Sequence, residues 1–440
     1  MPRKIITVRP RHHIVLIPGF AGFDALGQLE YYARVTPLFR QWQDAGHRDA
    51  VLHYFDNFPT AAVSTRAQRL RRYLAKRILR GEIAAGDTLA LVGHSTGGLD
   101  IRRLIWDLAH DPSQLLRYDG ARDPEFTAEK VLRMIRRIVF LSVPQWGTNI
   151  ADWVRAQALA PSLVIAELRA AVEASQVPLV GTLQEWVTNI ASAMSRVGLL
   201  YAVQDALAEA EVCPARDRLA TAMSQEAASV LALWLRHMAT DFSVINDLTA
   251  EPHDGDLMSP AHFDATMRKE EKQIWQSAKI RIQSYVTLGK RPFPFDEDAQ
   301  APDWNVLNPC TYPELAKDDR MSARTDIVYR TCYRACAGGP FKNPRPTVPV
   351  PKPLATWKPG KIAPWDNDGI VNTASMLWPD DRPMFLVECD HMDIVGHYQL
   401  LPAPHDSGRQ YDAYDLLKSG CGFDDRAFAT VWNHVFDFCV

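Results

Sequence analysis

Apolar residues along this chain come in short runs that alternate with helical stripes. The run from His13 to Ile17 is mostly apolar and stops at Pro18-Gly19, the pattern of a buried strand. Val51–Tyr54 and Asp87–Val92 repeat it. Between them, Thr65–Arg80 carries Leu70, Tyr73, Leu74 and Ile78 on one side of a predicted helix. Leu99–Leu108 predicts a second helix, and Ile138–Val143 a further strand. Late in the chain, Ile280–Leu288 and Met384–Glu388 predict strands, and Ala427–Phe438 a closing helix. Strands that are apolar throughout are buried on both faces. The rhythm therefore predicts a mostly parallel central sheet flanked by helices, an α/β fold.

Two stretches break the rhythm. From 152 to 249 no strand is convincing, while Val187, Ile190, Ala191, Met194 and Val197 fall at helical spacing, as do Val230, Leu231, Trp234 and Leu235. This predicts a helical insertion, positioned to act as a cap. From 291 to 364 the chain is rich in proline and predicts an irregular excursion. The expected organisation is a core built from 1–151 and 250–440, with 152–249 inserted as the cap.

Composition changes little. The chain of 440 residues is 47% hydrophobic and 23% charged, as expected of a globular protein. Its net charge of −3 gives no global basic field for nucleic acid or an anionic membrane. No apolar run is long enough to predict a transmembrane helix. Arg9, Arg11, His12 and His13 interrupt the early apolar residues, so the N-terminus reads as a strand and not an export leader. A cytoplasmic location is the expectation for the chain as written, and secretion is the alternative if a leader has been removed. Seven cysteines spread over this length predict thiols, with one disulfide among Cys310, Cys332 and Cys336 as the alternative.

The candidate chemistry sits at Gly93-His94-Ser95-Thr96-Gly97. A serine hydroxyl needs a base within hydrogen-bond reach, and the base needs an orienting acid. A Gly-x-Ser-x-Gly run between a strand and a helix lifts the serine out of a tight turn, the nucleophile turn of α/β hydrolases. Ser95 is thus the candidate nucleophile. The adjacent His94 is expected to point away from it and to act as support. Two backbone N–H groups, from Thr96 and from Phe20 in the loop after the first strand, are the candidate oxyanion donors. The chain order Ser, acid, His directs attention to Asp366-Asn367-Asp368-Gly369 and to Asp390-His391. Asp368 and His391 are the candidates. Asp366 competes as the acid, and His397, His405 and His434 compete as the base.

The segments Ile17-Pro18-Gly19-Phe20-Ala21-Gly22 with Glu30-Tyr31-Tyr32, Gly93–Gly98, Ser142–Thr148, Asn367–Thr373 and His391–Gly396 together resemble the bacterial true lipases, of the Pseudomonas/Burkholderia and Staphylococcus/Geobacillus types. The resemblance implies an α/β-hydrolase fold with a lid at 152–249 that opens at a lipid interface. It also implies ester hydrolysis through Ser95, Asp368 and His391. It selects Asp368 over Asp366. Many members hold a structural calcium beside the histidine loop, and Asp393 matches one ligand position. His397 and Tyr398 stand where oxygen ligands are usual, and Gln145 replaces a histidine. No cofactor is expected for the chemistry. The expected partner is a small or lipid-like ester. The alternatives are a related acyl hydrolase or transferase (phospholipase, polyester depolymerase, lactonase or amidase) and a non-catalytic binding protein on the same scaffold.

Overall fold

The computed structural model describes residues 10–20, 25–26, 29–118, 121–157, 243–250, 259–291, 329, 332–333, 335–337, 350–355, 362–398, 417 and 419–440. The strands are β1 (His12–Ile17), β2 (Ala25–Leu26), β3 (Leu29–Glu30), β4 (Ala50–Tyr54), β5 (Thr88–His94), β6 (Leu115–Tyr118), β7 (Ala121–Thr127), β8 (Ile135–Leu141), β9 (Arg281–Thr287), β10 (Lys352–Ala355) and β11 (Met384–Val387). The helices are α1 (Val35–Asp44), α2 (Val63–Leu79), α3 (Thr96–His110), α4 (Ala128–Met134), α5 (Asn149–Gln157), α6 (Val244–Leu248), α7 (Ala265–Ser277) and α8 (Asp425–Cys439).

Seven strands form one sheet in the order β10-β11-β9-β8-β5-β1-β4, and every pairing is parallel. Side chains alternate between its faces. Val15, Ile17, Leu89 and Leu91 join a core with Leu70 and Leu74 of α2 and Leu104 of α3. Ile14, Leu16, Ala90 and Val92 join the opposite core with Phe39 of α1 and Trp432 and Phe436 of α8. Both faces are thus covered, which is why the strand runs read as continuously apolar. Each fully buried Leu or Ile on these strands contributes about 1.5–3 kcal/mol. The fold class is α/β hydrolase: a parallel sheet, helices on both faces, and a serine at the turn from β5 into α3.

Several elements lie outside the sequence reading. The proline-rich stretch is not wholly irregular, because Lys352–Ala355 pairs with β11 at the sheet edge. Pro353 is tolerated there because an edge strand has one unpaired side, and the register shifts beside it. The hairpin of β6 and β7, and helices α1, α4 and α7, are additional. The helical stripes expected within 158–242 lie outside the described residues; α5 and α6 flank that span. Cys332, Cys336, Cys389, Cys421 and Cys439 are free thiols, while Cys310 and Cys213 lie outside the described residues. Among the described residues no helix is long and apolar enough to cross a membrane.

Candidate active site

All seven strands of the sheet run the same way, so the loops at their C-terminal ends meet at one edge. Ser95 sits there, between β5 and α3, with φ 53° and ψ −131°. A positive φ is costly for a residue with a Cβ, so the turn must be held from outside. Ser95 N–H donates to the Leu141 carbonyl at 2.9 Å, and the Ser95 carbonyl accepts from Gly98 N–H at 3.0 Å. A Cβ on Gly97 would run into the Ile17 carbonyl, so the second glycine of the motif is needed for close approach to β1.

His391 follows β11 at the same edge. Its Nδ1 lies 2.7 Å from Asp368 Oδ2, and its N–H donates to the Asp368 carbonyl at 3.0 Å. Both Asp368 and His391 are buried. Three more donors converge on the carboxylate: Thr287 Oγ1 at 2.6 Å on Oδ2, and the N–H groups of Ile370 and Val371 at 3.0 and 2.7 Å on Oδ1. A buried carboxylate is tolerable only when satisfied in this way. With Nδ1–H committed to Asp368, Nε2 is the imidazole nitrogen that keeps a lone pair.

The competitors have other partners. Asp366 is bound by Arg291 through Nε at 2.8 Å and Nη2 at 3.1 Å, and by Ala363 N–H at 2.7 Å. His397 Nε2 lies 3.0 Å from the Tyr31 carbonyl, and His434 Nδ1 lies 2.8 Å from Tyr285 Oη. His405 lies outside the described residues. His94 does not act on Ser95 through its ring: Nδ1 lies 2.6 Å from Tyr31 Oη, and Nε2 2.9 Å from the His391 carbonyl.

The loop after β1 is clamped from below. Arg66, fully buried on α2, uses Nη2 to reach the carbonyls of Pro18 and Gly19 at 3.0 and 3.1 Å. Its Nη1 reaches the Phe58 carbonyl at 2.6 Å. Asp100 of α3 neutralises it at 2.9 Å, and Asn57 donates to the same carboxylate at 2.8 Å. Burial pushes the Asp100 carboxyl up to about 6, against the pull of Arg66 and Asn57, so the pair is ionic at neutral pH. Gly19 N–H donates to Tyr31 Oη at 2.8 Å, which removes it as an oxyanion donor. Phe20 is next in the loop, and Thr96 is the first residue of α3. A Cβ on Gly19 would meet Ser95 Cβ at 2.5 Å, so loop and nucleophile turn are in contact.

Asp393 braces its own loop. Its Oδ2 accepts from Asp390 N–H at 3.0 Å, and Asp390 Oδ1 accepts from the N–H groups of Met392 and Asp393 at 2.9 and 3.0 Å. His397 of the same loop is turned to the Tyr31 carbonyl. Among the described residues no group of three or more His, Cys, Asp or Glu side chains is arranged to hold an ion. A calcium ion needs several oxygens facing one point, and both Asp393 Oδ2 and Asp390 Oδ1 are turned to the backbone of their own loop. Gln145, where the resembling family has histidine, is buried and accepts from Arg102 Nη1 at 3.0 Å.

Sequence reasoning missed Arg66, Thr287 and the role of Tyr31. The signal for Arg66 was present: it lies on the same stripe of α2 as Leu70 and Leu74, a position that surface arginines avoid.

No family model matches the chain, and no curated protein does. Among solved structures, the chain is similar to Staphylococcus hyicus lipase, with 14% identity and a TM-score of 0.44 over 98% of this chain and 97% of that one. It is also similar to a metagenomic carboxyl esterase, with 11% identity and a TM-score of 0.40 over 99% of this chain and 79% of that one. A Bacillus licheniformis lipase in mature form gives 11% identity and a TM-score of 0.38 over 88% and 89%.

Proposed function

We propose that this protein is a serine carboxylic-ester hydrolase, lipase-like in substrate class and related to the bacterial true lipases. One observation carries the reading: His391 is locked to Asp368 at the sheet edge where Ser95 occupies a strained strand-to-helix turn. In the proposed mechanism Ser95 Oγ attacks the ester carbonyl while His391 Nε2 takes its proton. Asp368 holds the imidazolium. The N–H groups of Phe20 and Thr96 receive the oxyanion. The tetrahedral intermediate expels the alcohol, which takes the proton back from His391. Water then attacks the acyl-serine with His391 as base, releasing the acid and restoring Ser95. The segment 152–249 is proposed as the lid at a lipid interface.

The test is Ser95→Ala on p-nitrophenyl esters of increasing chain length, with fluorophosphonate labelling alongside. Turnover is expected to fall by at least about 10³-fold and labelling to vanish. Undiminished turnover would sink the assignment. A profile that rises with chain length in emulsion supports a lipase. A flat profile restricted to short esters supports an esterase.

A further inference from the structure

Three loops must agree within a fraction of an ångström for such a site to work: the one bearing Gly19 and Phe20, the one bearing Ser95, and the one bearing His391. A buried chain of hydrogen bonds links all three. Gly19 N–H lies 2.8 Å from Tyr31 Oη, Tyr31 Oη lies 2.6 Å from His94 Nδ1, and His94 Nε2 lies 2.9 Å from the His391 carbonyl. Tyr31 and His94 are buried, and neither has a role in the mechanism above.

Valence fixes the direction of every proton in this chain. The backbone N–H of Gly19 can only donate, so Tyr31 Oη accepts from it. The His391 carbonyl can only accept, so His94 Nε2 must carry a hydrogen. A neutral imidazole has one N–H, which leaves Nδ1 as a lone pair. Tyr31 must then donate its single proton to Nδ1. Burial and the neighbouring His391 and His397 hold His94 well below its ordinary value, so the neutral ring is the form at neutral pH. Burial pushes the Tyr31 phenol up, so its proton stays on. Within this chain of three bonds only one arrangement pairs each donor with an acceptor: the opposite tautomer would set a bare Nε2 against the His391 carbonyl oxygen.

We propose that Tyr31 and His94 are positioning residues, a one-way hydrogen-bond chain that sets the oxyanion loop and the His391 loop against the Ser95 turn. The proposal rests on the ester-hydrolase reading for the reaction it serves. It adds a reason for the second residue of the Gly-x-Ser-x-Gly run. The His94 ring reaches a residue of each neighbouring loop, accepting at Nδ1 while donating at Nε2. A glutamine amide nitrogen can take the place of Nε2 as donor to the His391 carbonyl, whereas leucine keeps neither bond.

The experiment compares wild type, Tyr31→Phe, His94→Gln, His94→Leu and the double variant Tyr31→Phe/His94→Gln. Turnover is expressed per site titrated with fluorophosphonate. Tyr31→Phe keeps the ring and is expected to lower kcat about 10- to 100-fold with KM changed less than about threefold. His94→Gln is expected to retain about tenfold more activity than His94→Leu. The double variant is expected to fall little below the worse single one, because one chain has already been cut. Wild-type kcat in Tyr31→Phe, equal losses in the Gln and Leu variants, or fully additive losses would each overturn the proposal. The wild-type protein gives a second readout that needs no variant to fold. Nitrogen-15 NMR of the His94 ring should show Nε2 protonated and Nδ1 bare at pH 7, and the opposite tautomer or a doubly protonated ring would overturn the chain. A wild type that neither labels nor turns over esters would remove the reaction itself. That result is distinct from an active wild type that Tyr31→Phe leaves unchanged.

Discussion

Asp366 and Asp368 stand two positions apart, and only the second reaches His391. Spacing along the chain does not separate them, because both precede the same turn. The partners separate them: Asp366 is consumed by Arg291, while Asp368 receives Thr287 and two backbone N–H groups and still has an oxygen for the imidazole. Asp368→Asn should therefore lower kcat about 10⁴-fold, by turning a holder of the Nδ1–H tautomer into a group that can present the wrong atom. Asp366→Asn should cost less than about tenfold. Turnover of a p-nitrophenyl ester per titrated site decides between them, and equal losses would return the acid to either residue. Gly19 offers a second check at this scale. A Cβ there meets Ser95 Cβ at 2.5 Å, Tyr31 Oη at 2.8 Å and the His94 carbonyl at 2.9 Å. Gly19→Ala should lower kcat by about 10²-fold or more, with the fold's melting temperature changing less than the rate does.

Long helices with an apolar stripe were legible; α1 and α4 also bury apolar residues but run only 10 and 7 residues, too short for a clear period, and α7 buries charge. α2 and α8 show their stripes directly. α7 buries Arg268, Glu271 and Trp275 instead, so its sequence carries no apolar period. Its charges are satisfied in part by the carbonyls of Phe263 and Ala261 just before it and in part by distant residues. Glu271 takes both ends of the Arg102 guanidinium at 2.7 and 2.8 Å, and Arg268 reaches the Gln145 carbonyl at 2.9 Å. β10 was hidden for a different reason, since Pro353 argues against a strand unless it lies on an edge. The coupling of α2 to the oxyanion loop gives a prediction at this scale. Arg66→Met leaves Asp100 buried without its cation, which should cost about 3–5 kcal/mol in urea unfolding. The loss of its bonds to Pro18 and Gly19 should reduce kcat in whatever fraction stays folded. Unchanged stability would mean that water replaces the guanidinium.

The whole molecule carries several histidines that burial keeps neutral. His13 and His53 lie at the N-terminal half of the sheet, with His13 Nδ1 2.7 Å from His53 Nε2 and His13 Nε2 3.0 Å from Asp87 Oδ2. Burial lowers His53 to about 4, helped by His13 and Arg77, while burial lowers His13 against the pull of Asp87. His94 is lowered further by complete burial. In the unfolded chain these rings take up protons as pH falls through about 6.5. The folded chain does not follow until lower pH, so the unfolded state binds more protons and stability is lost as pH falls. Between pH 7.5 and pH 5 the partly exposed His53 alone should cost about 1–2 kcal/mol after allowance for solvent screening. Urea midpoints at both values check this, and His53→Gln should flatten the slope. An unchanged slope in His53→Gln would contradict the assignment of that ring as neutral, because Asp100, raised to about 6, acts on the wild-type profile in the opposite sense.

By itself the sequence determined six of the seven strands of the sheet, their burial on both faces and the turn that holds Ser95, because these follow from period, turn chemistry and the absence of a Cβ at close approaches. It also set the chain order Ser95, Asp368, His391 on which the proposed roles of nucleophile, acid and base rest. Tertiary structure shows the contact of Asp368 with His391 that the resemblance implies, and it alone decided that Arg66 clamps the loop after β1 and that His94 answers to Tyr31 and His391. Those choices depend on residues up to 297 positions apart, as between His94 and His391, and on which buried polar atoms are left to satisfy one another once the core has closed.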